Sequence, residues 1–113
     1  MLFLPRLLKK AIKSGTLNLV TPDQQRMSFG TPDGTEPVTI KVHDKSLDWK
    51  IAFNPELKTA EAYMDGALTL EDGEIYDLLT LFYRNRRHFD RSANMIFWQG
   101  IARSLRRFHQ HNP

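Results

Sequence analysis

Hydrophobic and polar positions follow two different periods along this chain, and the switches between them mark out its elements. Near the start Phe3, Leu4, Leu7, Leu8 and Ile12 recur at helical spacing while Arg6, Lys9, Lys10 and Lys13 fill the positions between. That pattern predicts a short basic amphipathic helix, closed by Ser14-Gly15. From Thr16 the period falls to two. Leu17 and Leu19, then Met27 and Phe29, then Val38, Ile40 and Val42 alternate with polar neighbours and predict three short strands. Thr21-Pro22-Asp23 and Thr31-Pro32-Asp33-Gly34 separate them, because proline presets a turn's φ while Asp and Gly accept the conformations that reverse a chain. Strands joined this way are expected to form an antiparallel sheet.

Asp44 or Ser46 is placed to cap a helix carrying Leu47, Trp49, Ile51, Ala52 and Phe53. Asn54-Pro55 ends that helix and starts another, with Leu57, Ala60, Tyr63 and Met64 before a glycine stop at Gly66. Ala67–Leu70 alternates again and reads as a fourth strand. Asp72 then caps a helix with Ile75, Leu78, Leu79 and Phe82 at i, i+3, i+4 and i+7. Residues 84–91 read as a polar, basic interruption. From about Ser92 a last helix sets Trp98, Ile101, Leu105 and Phe108 on one stripe with Arg103, Arg106 and Arg107 largely opposite. That stripe either folds back on the body or faces a membrane interface or a protein partner. The pattern as a whole predicts an α+β fold, one mostly antiparallel sheet with helices packed on one face and basic amphipathic helices at both ends. A single domain over 1–113 is expected, divided into a terminal helix (1–14), an α+β body (15–83) and a basic segment with its helix (84–113).

Composition adds exclusions. With 113 residues, 41% of them hydrophobic, there is material for one core. The absence of cysteine excludes disulfides, thiolate metal sites and a cysteine nucleophile, and fits a reducing, cytoplasmic setting. No apolar run approaches the ~18 residues of a membrane-spanning helix. The first leucines precede the lysines, the reverse of a secretion signal.

The net charge of +3 conceals a strong asymmetry. Residues 1–13 hold four bases and no acid, residues 84–113 hold seven arginines against Asp90 alone, and the stretch between holds twelve acids against five bases. An acidic body with basic ends suits an anionic surface, lipid or nucleic acid, or else the ends are simply solvated helix faces.

Catalytic patterns are missing. No two glycines stand at the G-x-G spacing of a nucleotide loop, and no serine lies in a G-x-S-x-G setting. His109 and His111, two apart, point to different sides of a helix and make a poor metal pair. Glu61 and Asp65 are either a proton-transfer or cation-binding pair or, more simply, a helix-end carboxylate bonding the turn before Gly66. Glu71, Asp72, Glu74 and Asp77 cluster at a helix start, where the dipole favours negative charge. Bases interleaved with aromatics at Phe82-Tyr83-Arg84 and Phe97-Trp98 are the one hint of single-strand nucleic-acid binding, and helical periodicity already accounts for those rings, so nucleic acid is not expected as a partner.

The segment Ala62-Tyr63-Met64-Asp65-Gly66, continued by Ala67-Leu68-Thr69-Leu70-Glu71-Asp72-Gly73-Glu74-Ile75-Tyr76-Asp77-Leu78-Leu79, resembles the N-terminal domain of cyclopropane-fatty-acyl-phospholipid synthases. The Gly15-Thr16-Leu17 start, the strand ending at Gly30, the Val38–Asp44 strand, the Asn54-Pro55-Glu56-Leu57 junction and the closing Gln110-His111-Asn112-Pro113 fit the same domain, so the likeness covers nearly the whole chain. It implies a lipid-handling domain that precedes an S-adenosylmethionine-dependent methyltransferase domain acting on membrane phospholipids. The cofactor and catalysis would belong to that second domain. The chain is then expected to be a piece or a shortened relative of such an enzyme, to bind no S-adenosylmethionine itself and to carry no catalytic residue.

Leu57 to Leu79 is also similar, more loosely, to sterol-carrier-protein domains, in which helices and a strand wall an apolar cavity. That likeness implies lining by Trp49, Phe53, Leu57, Ala60, Tyr63, Met64, Ile75, Leu79 and Phe82 around a phospholipid or fatty acyl chain, although a helical stripe also serves as plain core. Lys9, Lys10, Lys13, Arg84, Arg86, Arg87 and Arg91 are expected to dock on an anionic membrane at the inner face of the cytoplasmic membrane. Trp98, Ile101 and Leu105 are expected at an interface, with the methyltransferase domain or with a second copy in a homodimer.

Overall fold

The computed structural model describes residues 1–89. Along it run α1 (Phe3–Ala11), β1 (Gly15–Val20), β2 (Arg26–Thr31), β3 (Val38–Val42), α2 (Leu47–Phe53), α3 (Pro55–Asp65), β4 (Leu68–Asp72) and α4 (Ile75–Arg84), followed by a 3-10 turn at Arg86–His88. The strands form one sheet in the order β2-β1-β3-β4. Pairs β1/β2 and β3/β4 are antiparallel, as expected of a mostly antiparallel sheet, but β1/β3 is parallel. β2 and β3, consecutive in the chain, are therefore not neighbours in the sheet.

Turn residues reverse the chain without choosing its next partner, and burial makes that choice here. β2 is exposed at Arg26, Ser28, Gly30 and Thr31 and suits an edge, whereas Val38, Thr39 and Ile40 of β3 are all buried and suit the interior. The loop 32–37 accordingly crosses the start of β1 to deliver β3 to its other side. Asp33 pins this crossover. Its carboxylate accepts the Ser14 hydroxyl at 2.8 Å and the Thr35 N–H at 3.1 Å, and pairs with the Arg84 guanidinium. Hydrogen bonds from Thr35, then Ser14, with the Arg84 charge behind them, hold the carboxyl down at about 2.

One face of the sheet, with Leu17, Leu19, Val38, Ile40, Val42 and Leu68, meets the helices in a single cluster with Leu4, Leu8, Leu47, Ile51, Leu78 and Phe82. The other face is polar. Ser28 donates to Asn18, the Asn18 amide donates to Thr39 Oγ1 at 3.2 Å, and Arg26 meets Glu71 from the opposite edge at 3.1 Å. Among the described residues, the helices thus lie on one face, as the pattern predicts.

The first helix is more than a basic appendage, because Leu4, Leu8 and Ala11 are buried in the core. Its free N–H groups are met from a distance. The Asp48 carboxylate, in the first turn of α2, accepts Leu2, Phe3 and Leu4 N–H at 2.8–3.1 Å. Burial alone would raise this carboxyl's pKa, but the three backbone donors outweigh that and lower it.

Two expected caps shift. Asp72 belongs to β4, and the N-cap of α4 is Glu74, in a capping box where the Glu74 N–H donates to Asp77 at 2.8 Å. Ser46 precedes α2 without a side-chain cap bond, while Asp44 accepts the Ser46 N–H at 2.9 Å. Gly66 closes α3 at φ 78°, as predicted.

The body also runs past residue 83. Asn85 is only 1% exposed and uses its whole amide: Oδ1 accepts Lys13 and Ser14 N–H, and Nδ2 donates to Ser14 and Leu81 carbonyls, each at 2.9 Å. Phe89 is buried edge-on against Phe82 with centroids 5.4 Å apart. Charge counting hid both residues, and the packed body includes them. No helix among the described residues is long and apolar enough to cross a membrane.

Candidate functional site

The nine residues expected to line a cavity fall into two groups. Ile75, Leu79 and Phe82 face the sheet from α4 and are packed in the core. Trp49, Phe53, Leu57 and Met64 instead stand 50%, 75%, 42% and 83% exposed, with Tyr63 exposed and Ala60 half-buried. They do not wall one common space with the α4 residues, which corrects the expected lining by Trp49, Phe53, Leu57, Tyr63 and Met64. The physical reason lies in α3, which buries Thr59 and Ala62. Small side chains there let α3 lie close to its neighbours α2 and β4, and the larger ones turn outward.

On α2 the same separation is sharper. Leu47 and Ile51 are buried, while Trp49 and Phe53, four apart, share the outer side. Phe53 meets Phe3 of α1 with ring centroids 5.8 Å apart, and the Lys50 ammonium sits 5.6 Å from the Trp49 ring centroid. Phe3 belongs to the outer side of α1 together with Arg6, Leu7 and Lys10, at i, i+3, i+4 and i+7. The result is an aromatic corner where α1 and α2 meet. The sequence sets Phe3 and Leu4 together on one apolar stripe and assigns Phe3 to no site; in the fold the tighter 4-8-11 stripe takes the core and leaves Phe3 outside.

The basic residues are also redistributed. Lys9, Lys10 and Lys13 are exposed along α1 and just beyond it. Arg84 is engaged by Asp33. Arg86 stacks 4.2 Å from the Tyr83 ring centroid and donates to the Tyr83 carbonyl at 2.9 Å, and Arg87 is exposed. The bonds of Asn85 to Lys13 and Ser14 bring the two basic segments together, so Lys13 and Arg86/Arg87 stand at one end of α1. Arg91, Trp98, Ile101 and Leu105 lie outside the described residues.

Of the acidic residues, Glu61, Glu71 and Asp77 find structural partners. Glu61 bonds Lys58 at 3.1 Å, Asp65 is exposed at the end of α3, Glu71 pairs with Arg26, and Asp77 serves the capping box. No group of three or more His, Asp or Glu among the described residues is arranged to hold a metal ion. A cleft of about 710 Å³ opens between loop 34–37, the end of β4 and α4. Glu36, Asp72, Asp77, Thr80 and Arg84 give it a polar wall that does not suit an acyl chain, and none of the nine expected lining residues borders it.

No curated protein and no solved structure matches this chain. A family model described as a domain of unknown function (DUF7884) matches residues 3–94, from the start of α1 past the end of the described body, and the chain belongs to that family.

Proposed function

We propose that this chain is a non-catalytic lipid-binding module that docks peripherally on an anionic membrane, at its cytoplasmic face. In this reading it serves a cyclopropane-fatty-acyl-phospholipid synthase-like, S-adenosylmethionine-dependent methyltransferase domain by bringing phospholipid acyl chains within its reach. The observation that carries the reading is the set of large aromatic side chains, Phe3, Trp49 and Phe53, left exposed where α1 and α2 meet on a chain that has a core of its own. Apolar surface grouped in this way usually marks a partner or a membrane. Lipid would contact the outside of the helices, since the stripe of α4 fills the core.

Part of the surface favours a second reading. On α3, Leu57 and Met64 stand beside Glu61 and Asp65, and carboxylates repel anionic headgroups. That row suits a protein contact, with the methyltransferase domain or a second copy. Sedimentation with vesicles of phosphatidylglycerol and phosphatidylcholine tests the lipid reading. Binding should weaken as salt rises and be lower on pure phosphatidylcholine. Equal recovery with both vesicles at every ionic strength would contradict it.

A further inference from the structure

We infer that α1 is the docking element and lies along an anionic phospholipid bilayer, with the Phe3–Phe53 pair and Trp49 entering the acyl region at one end and Lys10, Lys13, Arg86 and Arg87 meeting headgroup phosphates at the other. The inference rests on the lipid-binding reading and deepens it by fixing a face and an orientation.

Three observations support it. First, the aromatic corner is apolar on the outside without any need from the core: Phe53 is 75% exposed and Phe3 42%, yet the two rings meet, tilted, with centroids 5.8 Å apart. Aromatic rings at the boundary of headgroup and acyl chain are favoured there, and Trp49 with the Lys50 ammonium over its ring has the same amphipathic build. Second, the charge around the corner has one sign along α1, since residues 1–13 carry Arg6, Lys9, Lys10 and Lys13 and no acid. The carboxylates near its N-terminal end are already engaged: Asp48 accepts three backbone N–H groups, and Asp23, which shares a cleft with Met1, Lys45 and Asp48, accepts the Thr21 hydroxyl. Third, Asn85 adds Arg86 and Arg87 to the far end of the same helix. A nine-residue helix separates the two ends by about 13 Å, so aromatic anchors and phosphate-binding cations are held apart on one rigid element. An acidic α3 row and a polar sheet face offer no comparable pairing, which is why a bilayer rather than a protein is the occupant assigned to this corner.

The test uses the full chain and vesicles of equal parts phosphatidylglycerol and phosphatidylcholine. In a Trp98→Phe background, Trp49 is the sole tryptophan. Its emission should shift to shorter wavelength on vesicle binding and be quenched by lipids brominated on their acyl chains. In the otherwise natural chain, Phe53→Ser should weaken vesicle binding about tenfold, and Lys10→Gln, Lys13→Gln, Arg86→Gln and Arg87→Gln about fivefold each. Met64→Ser should change it less than twofold. The side chains of Phe53, Met64, Lys10, Lys13, Arg86 and Arg87 are exposed, and unchanged thermal midpoints should verify that the variants fold. If the chain sediments with vesicles while Trp49 stays unquenched, or if Met64→Ser weakens binding and Phe53→Ser does not, the orientation is wrong and the lipid reading survives. A lipid-free dimer that Phe53→Ser dissociates would make the corner a protein interface. Failure of the natural chain to bind anionic vesicles would remove both.

Discussion

Helix α4 and the pair α2–α3 carry apolar residues at the same helical spacings, yet they use them in opposite ways. On α4, Ile75, Leu78, Leu79, Leu81 and Phe82 are all buried, because the helix lies against the sheet and is closed off by Phe89. Among the described residues of α2 and α3 only Leu47, Ile51, Thr59 and Ala62 are buried, and Trp49, Phe53, Leu57 and Met64 face outward. Periodicity establishes that a helix has an apolar side. Which side is covered depends on what the rest of the fold supplies, and here one sheet face is filled before α2 and α3 can spend their larger side chains on it. Helix α4 therefore carries stability, and α2 with the start of α1 carries surface that is free for contact.

The largest expected effect separates the two regions directly. Phe82→Ala should destabilise the fold by about 3–5 kcal/mol through the cavity left in the core, whereas Phe53→Ala should stay within about 0.5 kcal/mol. Urea unfolding of both variants measures the contrast, and comparable losses would erase it. Next in size is Asn85→Ala, which strips partners from the Lys13 and Ser14 N–H groups and from the Ser14 and Leu81 carbonyls. A loss of at least about 2 kcal/mol is expected in the same assay.

Asp48→Ala should cost about 1 kcal/mol by uncapping α1 across the α1–α2 corner. It also predicts a pH dependence. The Asp48 carboxyl is lowered in the fold, so its stabilisation is full above the ordinary aspartate value of about 3.9 and is lost as pH falls through the lowered folded value. Asp33, held at about 2, acts over the same acid limb. The thermal midpoint of the natural chain should fall between about pH 4 and pH 2, less steeply in Asp48→Ala and in Asp33→Asn. The smallest effect belongs to Met64→Trp. At 83% exposure the added bulk meets solvent, and the midpoint should move by no more than about 0.5 kcal/mol allows.

Much of this fold was legible in the chain. The strands begin and end close to their alternating runs, Pro55 and Gly66 bracket α3, and Leu4 and Leu8 give α1 its buried stripe. Strand order was not legible, because the parallel β1/β3 pairing depends on a crossover that Asp33 fixes through Ser14 and Arg84, residues 19 and 51 positions away. Asp48 and Asn85 escaped for the same reason: each meets backbone groups more than forty residues away in sequence. At the candidate site, the likeness to a cavity-walling domain assigned Trp49 and Phe53 inward. Helical spacing alone carries no information about which neighbour occupies the inner side, and Thr59 and Ala62, the residues that settle the packing of α3, are individually unremarked in any apolar stripe.

Hydrogen exchange of the full chain, with and without vesicles of phosphatidylglycerol and phosphatidylcholine, tests the division of the surface most directly. Lipid should slow exchange in α1 and α2, residues 3–11 and 47–53, and leave β2, residues 26–31 on the open edge of the sheet, unchanged. Slowing confined to β2 or to α3, with α1 and α2 unaffected by bound lipid, would contradict the account.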